Sequence, residues 1–221
     1  MSCWEIRIAT LIGAIVVGLT PPTTTAAEQP GLAIATLETL PVKGRAPKTG
    51  YSRDQFGQAW ADVNRNGCDT RNDILKRDLT AIIYKAGTRN CVVLSGTLLD
   101  RYSGESINFI RGNITSMEVQ IDHVVALSNA WQTGAFKLTA DQRKALANDP
   151  MNLFAVKGRL NSQKGDGDAA TWLPPLKSFR CAYVAQQIAV KAKYSLWVVP
   201  PEKAAMLSIL AKCPTQKLPV S

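Results

Sequence analysis

The feature that most constrains the fold of this chain is an apolar run at residues 119–127, VQIDHVVAL, which contains its single histidine. Valine and isoleucine dominate the run, so the pattern predicts a buried β-strand. His123 directly follows an acid, Asp122, in the middle of the run. An Asp–His pair adds nothing to the packing of so apolar a strand. The pair therefore marks a candidate functional site.

Two asparagines follow the pair at spacings that suggest one shared site. Asn152 lies 29 residues after His123 and opens a second apolar run, and Asn161 lies nine residues further on. Asn161 begins the stretch NSQKGDGD, which contains Lys164. The order is then Asp–His, Asn–Leu and Asn-x-x-Lys-Gly. We predict these segments on a strand, a second strand and a loop that leads into a helix.

This order and spacing resembles the HNH nucleases, whose core is two strands and a helix around one divalent metal ion. Further blocks extend the resemblance over about residues 51–214: DQFGQAW at 54–60, NGCDTRNDIL at 66–75, AATWLPP at 169–175 and RCAYV at 180–184. Together the blocks resemble a secreted branch of the HNH family that is related to the C-terminal domain of the GmrSD restriction endonuclease. The motif ends in Asn161 rather than histidine, and an amide oxygen favours hard metal ions over soft ones.

The resemblance implies an α+β fold with a ββα-metal (His-Me finger) HNH core, added helices, a β-hairpin and two disulfides. It implies that Asp122 and Asn161 hold one divalent ion, Mg²⁺ or Mn²⁺. It makes His123 the general base and Asn152 a second catalytic residue, which orients the histidine segment. Lys164 is expected to contact a phosphate. Neighbouring strand residues face opposite sides, so Asp122 and His123 can share one site only where the strand ends or bulges.

The N-terminal segment, residues 1–27, has the features of a signal peptide. Glu5 and Arg7 precede an apolar run at residues 8–19, followed by prolines and small residues up to Ala27. The run is short for a membrane span. We therefore expect cleavage near Ala27 and a secreted protein, outside the cell or in its envelope, without stable membrane insertion.

Three further segments follow the signal peptide. Residues 28–50 contain several Pro and Gly without periodicity, which predicts a flexible linker. Residues 51–214 are expected to form one HNH endonuclease domain, and residues 215–221 a C-terminal tail.

Four cysteines remain after cleavage: Cys68, Cys91, Cys181 and Cys213. An even number in an oxidising compartment predicts two disulfides, for which three pairings exist. We prefer the nearest-neighbour pairing, Cys68–Cys91 and Cys181–Cys213, with about 3–4 kcal/mol of stabilisation from each. A structural zinc site is disfavoured, because the chain has no Cys-x-x-Cys pair and one histidine.

The charge distribution indicates a polyanionic partner. The chain carries a net charge of +9, and residues 120–221 hold 13 Lys and Arg against 6 Asp and Glu. The corresponding counts for residues 28–119 are 12 and 10. A basic surface concentrates polyanions and makes their binding salt-dependent. We expect a nucleic acid substrate, with DNA favoured over RNA, and a monomeric protein.

Two other functional classes compete with this prediction. A non-catalytic secreted protein that binds nucleic acid or cell wall would account for the charge, but not for the Asp–His pair. A serine hydrolase would also use His123, but the chain lacks a Gly-x-Ser-x-Gly elbow. The nuclease reading accounts for both the charge and the motif.

A second candidate metal site occupies residues 62–73. Asp62, Asn64, Asn66 and Asp73 stand at ligand positions of an EF-hand-like calcium loop, around Gly67. Position 12 is Asp rather than Glu, and the site holds two carboxylates. A turn held by side-chain hydrogen bonds and pinned by Cys68 accounts for the same residues. We favour the turn.

Local patterns predict the elements around these sites. A capping box at residues 52–55 predicts a helix through Trp60, and apolar spacing predicts a second helix over about residues 70–80. β-rich segments between residues 84 and 111 predict a hairpin. A second capping box, Thr139 with Gln142, predicts a helix over residues 139–148, and Pro200 opens a final helix to Cys213.

Overall fold

A computed structural model describes Met1, residues 31–113 and residues 115–220. The predicted signal peptide lies outside the described residues except for Met1. The α-helices are α1 Ala33–Thr39, α2 Thr70–Asp78, α3 Leu127–Gln132, α4 Ala140–Ala147, α5 Gly158–Lys164, α6 Arg180–Lys193 and α7 Pro200–Leu210. The strands are β1 Leu79–Tyr84, β2 Val93–Leu99, β3 Ser106–Ile110, β4 Val119–His123 and β5 Leu153–Lys157. These elements confirm the predicted α+β class.

The strands form two separate antiparallel sheets. One has three strands in the order β1-β2-β3, and the other pairs β4 with β5. The β2–β3 hairpin was predicted, but β1 was not, because the helix predicted over residues 70–80 covered its first residues. Helix α2 ends at Asp78, and Leu79 begins the extra strand at once. The segment that was predicted to form only a hairpin is therefore part of a three-stranded sheet.

The second sheet and α5 bring the motif segments together. In the β4–β5 pair His123 lies opposite Leu153, and Val119 lies opposite Lys157. Helix α5 follows β5 without a loop and packs on both strands. A Cβ on Gly158 would overlap the carbonyl oxygen of Met117, so only glycine fits where β5 turns into α5. Two strands and a helix therefore meet around Asp122 and His123.

Within the described residues the hydrophobic core has three clusters, and the largest surrounds α6. Its members from α6 are Tyr183, Val184, Ala185 and Ile188. Lys191, on the same helix, is completely buried. Its ammonium lies 2.9 Å from a carboxylate oxygen of the equally buried Glu202 at the start of α7. Another cluster lies between α2, the three-stranded sheet and the β4–β5 pair.

The segment predicted as a flexible linker is partly a structural element, which corrects the prediction. Ala33 and Leu37 of α1 are fully buried in the largest cluster, beside α6 and α7. The Ala33 amide donates to the carbonyl of Gln216, and the Leu218 amide donates to that of Gly31. The predicted tail thus pairs with the start of α1. So short a helix is stabilised by packing, which weak local periodicity does not reveal.

Both disulfides have the preferred pairing. Cys68–Cys91 joins the loop before α2 to the β1–β2 turn, and Cys181–Cys213 joins the start of α6 to the segment after α7. The first bond anchors the loop before α2, and the second anchors the segment after α7.

The loop at residues 62–73 is a hydrogen-bonded turn. The Asp62 carboxylate accepts from the amides of Asn66, at 3.1 Å, and Gly67, at 2.9 Å. The Asn66 side chain accepts from the Cys68 amide and donates to Asp73. The favoured turn is therefore present, and these side chains bond to one another and to the loop backbone.

The two capping-box predictions had different outcomes. Thr139 and Gln142 form a reciprocal capping box at the start of α4, as predicted. Ser52 makes no capping bond, and only a 3₁₀ turn, Arg53–Phe56, forms there. The helix predicted to reach Trp60 is wrong, because Gly57 turns the chain out of the helical region with φ of 73°. Among the described residues, no helix is long and apolar enough to cross a membrane.

Candidate functional site

A cleft of about 490 Å³ lies at the end of β4. Asp122, His123 and Asn161 all line it, so the structure brings three predicted site residues together. The strand ends at His123, which meets the condition for neighbouring residues to share one site. Further polar and aromatic residues line the same cleft: Tyr51, Arg53, Trp60, Arg71, Gln120, Ser128 and Asp166.

Asp122 is buried and bound on both of its carboxylate oxygens. The ammonium of Lys164 donates to Oδ1 at 2.9 Å, and the hydroxyl of Tyr102 donates to Oδ2 at 2.5 Å. Lys164 also donates to the carbonyl oxygen of His123 at 2.7 Å. The carboxylate is thus neutralised by a lysine that comes from α5.

The position of Lys164 corrects the prediction that it contacts a phosphate. The residue is 3% exposed and lies behind Asp122, not among the residues that line the cleft. Its two hydrogen bonds go to the Asp122 carboxylate and to the His123 carbonyl, and neither is directed into the cleft. Lys164 is a buried counter-ion in this geometry.

His123 is buried and held in one tautomer by a backbone carbonyl. Its Nε2 lies 2.9 Å from the oxygen of Ala147, which can only accept a hydrogen bond. Nε2 must therefore carry the proton, and the neutral ring keeps its lone pair on Nδ1. Burial lowers the pKa of His123 from 6.5 to about 3; the Ala147 bond opposes this, and the charges of Arg53 and Lys164 add to it. At neutral pH the imidazole is therefore uncharged, with its single proton on Nε2.

Trp60 covers the imidazole. The two ring centroids are 6.0 Å apart, and the ring planes differ by 19°. Trp60 has φ of 56°, a conformation that a bulky residue adopts only when surrounding contacts hold it there. The amide of Thr70 donates to the Trp60 carbonyl, and the Thr70 hydroxyl donates to that of Ala61. The loop before α2 thus holds this aromatic lid over His123.

Asn152 lies behind the site and does not line the cleft. It is fully buried, and its Oδ1 accepts from the Val125 amide at 2.8 Å. Its Nδ2 donates to the carbonyls of Val125 and Leu146, each at 3.3 Å. These bonds tie the turn after His123 to the end of α4, which also supplies the Ala147 carbonyl. Asn152 therefore has the contacts of a positioning residue.

The donor set at the cleft fits a hard divalent ion. The Nδ2 of Asn161 donates a hydrogen bond to Gln120 at 2.8 Å. This leaves the Oδ1 of Asn161 available as a metal ligand. Each carboxylate oxygen has two lone-pair sites, so each oxygen of Asp122 retains one beside its present partner. Within the described residues no cluster of three His, Cys, Asp or Glu forms a metal site. An ion held by Asp122 and Asn161 would therefore keep several waters, as Mg²⁺ usually does.

Sequence reasoning missed four residues of the site. Tyr102 lies in an irregular loop, and Arg53 and Arg71 stand among other charged residues, so no local pattern distinguishes them. Trp60 is half-buried and lines the cleft, and a tryptophan by itself does not distinguish a site residue from a core residue. Arg71 and Trp60 belong to blocks noted in the resemblance, which was the one available signal.

Comparison with known proteins assigns the chain to a family. Residues 69–209 match the family described as GmrSD restriction endonucleases, C-terminal domain. The match covers more than half of the chain, and the chain therefore belongs to this family, which confirms the predicted relation. An uncharacterized secreted protein of Arthroderma benhamiae is 36% identical over 208 residues, which cover 92% of this chain and 97% of the relative. No solved structure matches the chain.

Proposed function

We propose that the protein is an exported endonuclease of the HNH kind, which hydrolyses phosphodiester bonds of nucleic acid with the help of one divalent ion. One observation carries the proposal: His123, held as a neutral base with its lone pair on Nδ1, lines the same cleft as Asp122 and Asn161. Membership in the GmrSD C-terminal-domain family supports a nuclease.

His123 acts as the general base. Its Nδ1 accepts a proton from a water molecule as the water oxygen forms a bond to phosphorus. The bond from phosphorus to O3′ breaks, and O3′ takes a proton from solvent water, which leaves a 5′-phosphate and a 3′-hydroxyl as the resemblance implies. The Ala147 carbonyl holds the ring throughout, because its bond to Nε2 strengthens when the imidazole becomes positively charged.

Substrate binding adjusts the basicity of His123. A pKa of about 3 keeps the imidazole uncharged in the resting protein, but it also makes His123 a weak base. An anionic phosphate in the cleft stabilises the imidazolium and raises this pKa. Proton transfer thus becomes favourable when nucleic acid is bound.

Asp122 and Asn161 would hold the divalent ion. When bound, it would supply positive charge that stabilises the phosphate and the departing oxygen. The protein's own contribution is to keep the two oxygen donors in place, Asp122 through Tyr102 and Lys164, and Asn161 through Gln120. Mg²⁺ and Mn²⁺ suit these hard oxygen donors.

DNA is the substrate to test first. The protein is expected to be exported from the cell. The basic C-terminal half suits a polyanion, and the bond that breaks is common to DNA and RNA. Two disulfides suit an oxidising compartment, and the similar Arthroderma protein is described as secreted.

Nicking of supercoiled plasmid tests the proposal. The chain from residue 28 onward is assayed with Mg²⁺, with Mn²⁺ and with chelator, beside His123→Ala and the charge control Lys212→Gln. We expect metal-dependent nicking that falls about a hundredfold or more in His123→Ala. Lys212 is exposed at the end of α7 and outside the cleft, so its variant should nick like the wild type.

The assay also separates the competing class. A folded wild type that binds nucleic acid but cuts neither DNA nor RNA with any metal would contradict the proposal. The protein would then be a secreted binding protein.

A further inference from the structure

The charges around the cleft do not balance. Two carboxylates line it, and each has a lysine partner: Asp122 is bound by Lys164, and Asp166 by Lys48 at 2.7 Å. Two guanidinium groups also line it, those of Arg53 and Arg71. Among the described residues, neither arginine has a carboxylate within 4.0 Å. The cleft therefore has an excess of positive charge at its arginines.

Arg71 is held in a position that is costly for an unpaired cation. The residue is partly buried, and its one hydrogen bond is a long contact of 3.5 Å with the Val119 carbonyl. Burial lowers the pKa of Arg71, and the like charge of Arg111 lowers it further, while Asp69 opposes them. A nearby anion would relieve both unfavourable effects.

The protein supports this position with rigid structure. Arg71 lies in the first turn of α2, where the Asp69 side chain caps the Asn72 amide. The Cys68–Cys91 disulfide immediately precedes that cap. Arg71 is therefore presented to the cleft before any ligand arrives, which reduces the entropic cost of binding.

Arg53 approaches the same site from another segment. It begins the 3₁₀ turn Arg53–Phe56, is exposed, and lines the cleft beside His123. Its charge is near enough to disfavour the protonated form of His123 and so to lower the pKa of that imidazole. Arg53 and Arg71, which flank Trp60 in the sequence, thus line the same cleft as the candidate base.

We propose that Arg53 and Arg71 form an anion site that takes one phosphate group of a nucleic-acid backbone next to His123. A guanidinium presents paired N–H donors that match phosphate oxygens, and here both groups are free of carboxylate partners. The nucleic-acid identity of the ligand rests on the proposed function, whereas phosphate binding at the arginines requires no cleavage. Arg53 precedes the family match at residues 69–209, so this site extends beyond the matched segment.

Binding without cleavage tests the site. The anisotropy of a fluorescein-labelled DNA oligonucleotide is titrated in chelator over a range of salt concentrations, with wild type, Arg53→Gln, Arg71→Gln and Lys212→Gln. Arg71→Gln should weaken binding about tenfold or more, since a hydrogen bond to a charged group is lost. The slope of log affinity against log salt should fall by about 0.7 to 0.9 for each arginine removed.

The control variant separates the site from general charge. Lys212→Gln removes one exposed charge that does not line the cleft and should change affinity by about twofold at most. Wild-type affinity and salt slope in both arginine variants would overturn the inference. If Arg71→Gln does not fold, the exposed Arg53→Gln decides alone: a full salt slope in that variant overturns the shared site.

The outcome is independent of the catalytic proposal. Arginine-dependent binding by a protein that never cuts would support the anion site and contradict the nuclease. Metal-dependent cutting that requires His123, with unchanged binding in both arginine variants, would support the nuclease and contradict the anion site.

Discussion

Asp122 and Lys164 form a buried ion pair directly beside the candidate base, at 2.9 Å. Such a pair adds little net stability, because both charges lose their hydration when they are buried. Its effect on His123 is electrostatic. A bare Asp122 carboxylate would favour the imidazolium, whereas the Lys164 charge lowers the pKa of His123. The pair therefore helps to keep the imidazole neutral in the unliganded protein.

The buried histidine predicts a pH dependence of stability. The unfolded chain takes up a proton near pH 6.5, while folded His123 has a pKa of about 3. Between these values the unfolded state binds more protons, so the free energy of unfolding falls as the pH falls. The contribution of His123 should reach about 1.4 kcal/mol per pH unit. Urea unfolding at several pH values between roughly 7 and 4 measures this contribution.

His123→Gln is the matched comparison for this measurement. Glutamine does not titrate and keeps an N–H donor that can reach the Ala147 carbonyl. We expect a smaller loss of stability on acidification in the variant than in the wild type. Parallel curves for the two proteins would show that His123 titrates normally in the folded state.

Among the elements, the loop before α2 connects the first disulfide to the site. It carries Trp60 over His123 and leads into Arg71, and Cys68 attaches it to the β1–β2 turn. The second disulfide joins α6 to the end of the chain after α7, away from the cleft residues. The first bond therefore holds a loop that carries cleft residues, whereas the second does not.

Removal of each disulfide should separate stability from activity. The loops closed by the bonds span 23 and 32 residues, so either Cys→Ser double variant should lose about 3–4 kcal/mol. Plasmid nicking is measured at a temperature at which both variants are folded. We expect a marked loss in the Cys68/Cys91 variant and little change in the Cys181/Cys213 variant. Equal losses in the two would show that the first disulfide has no special role at the cleft.

At the scale of the whole molecule, the two ends of the described chain close on each other around α6. Helix α1 packs on α6 and α7, and backbone bonds join Gly31 and Ala33 to Leu218 and Gln216. The folded unit therefore begins about twenty residues before the boundary predicted at Tyr51. The segment that was predicted to be a linker contributes to the core.

A core substitution in α1 tests this closure. Leu37 is fully buried, so Leu37→Ala should lower the free energy of unfolding by about 2–5 kcal/mol. Leu99, on the end of β2, is 70% exposed, and Leu99→Ala should change it by about 0.5 kcal/mol or less. Denaturant unfolding compares the two. A Leu37→Ala variant as stable as Leu99→Ala would show that residues 33–39 are not part of the cooperative unit.

Sequence reasoning located the site segments and the order of their elements. Strand β4 with Asp122 and His123, the Asn152 strand and the capping box of α4 all depend on patterns within a few residues. The errors have local causes as well. The helix predicted through Trp60 ends before Gly57, and a strand begins at Leu79, inside the helix predicted over about residues 70–80.

By itself the sequence determined the motif order, from which the relation to the family and the α+β class that it implies both followed, and it singled out His123, Asp122 and Asn161 as candidates. The cysteine number predicted two disulfides but left three pairings, of which the preferred one is present. Only the tertiary structure decided what surrounds the three candidates. Tyr102 and Lys164 reach Asp122 from 20 and 42 residues away, and the cleft's acids are neutralised while its arginines are not. Such pairings depend on how distant segments pack together, because the free energy of a buried charge is set by its three-dimensional neighbours.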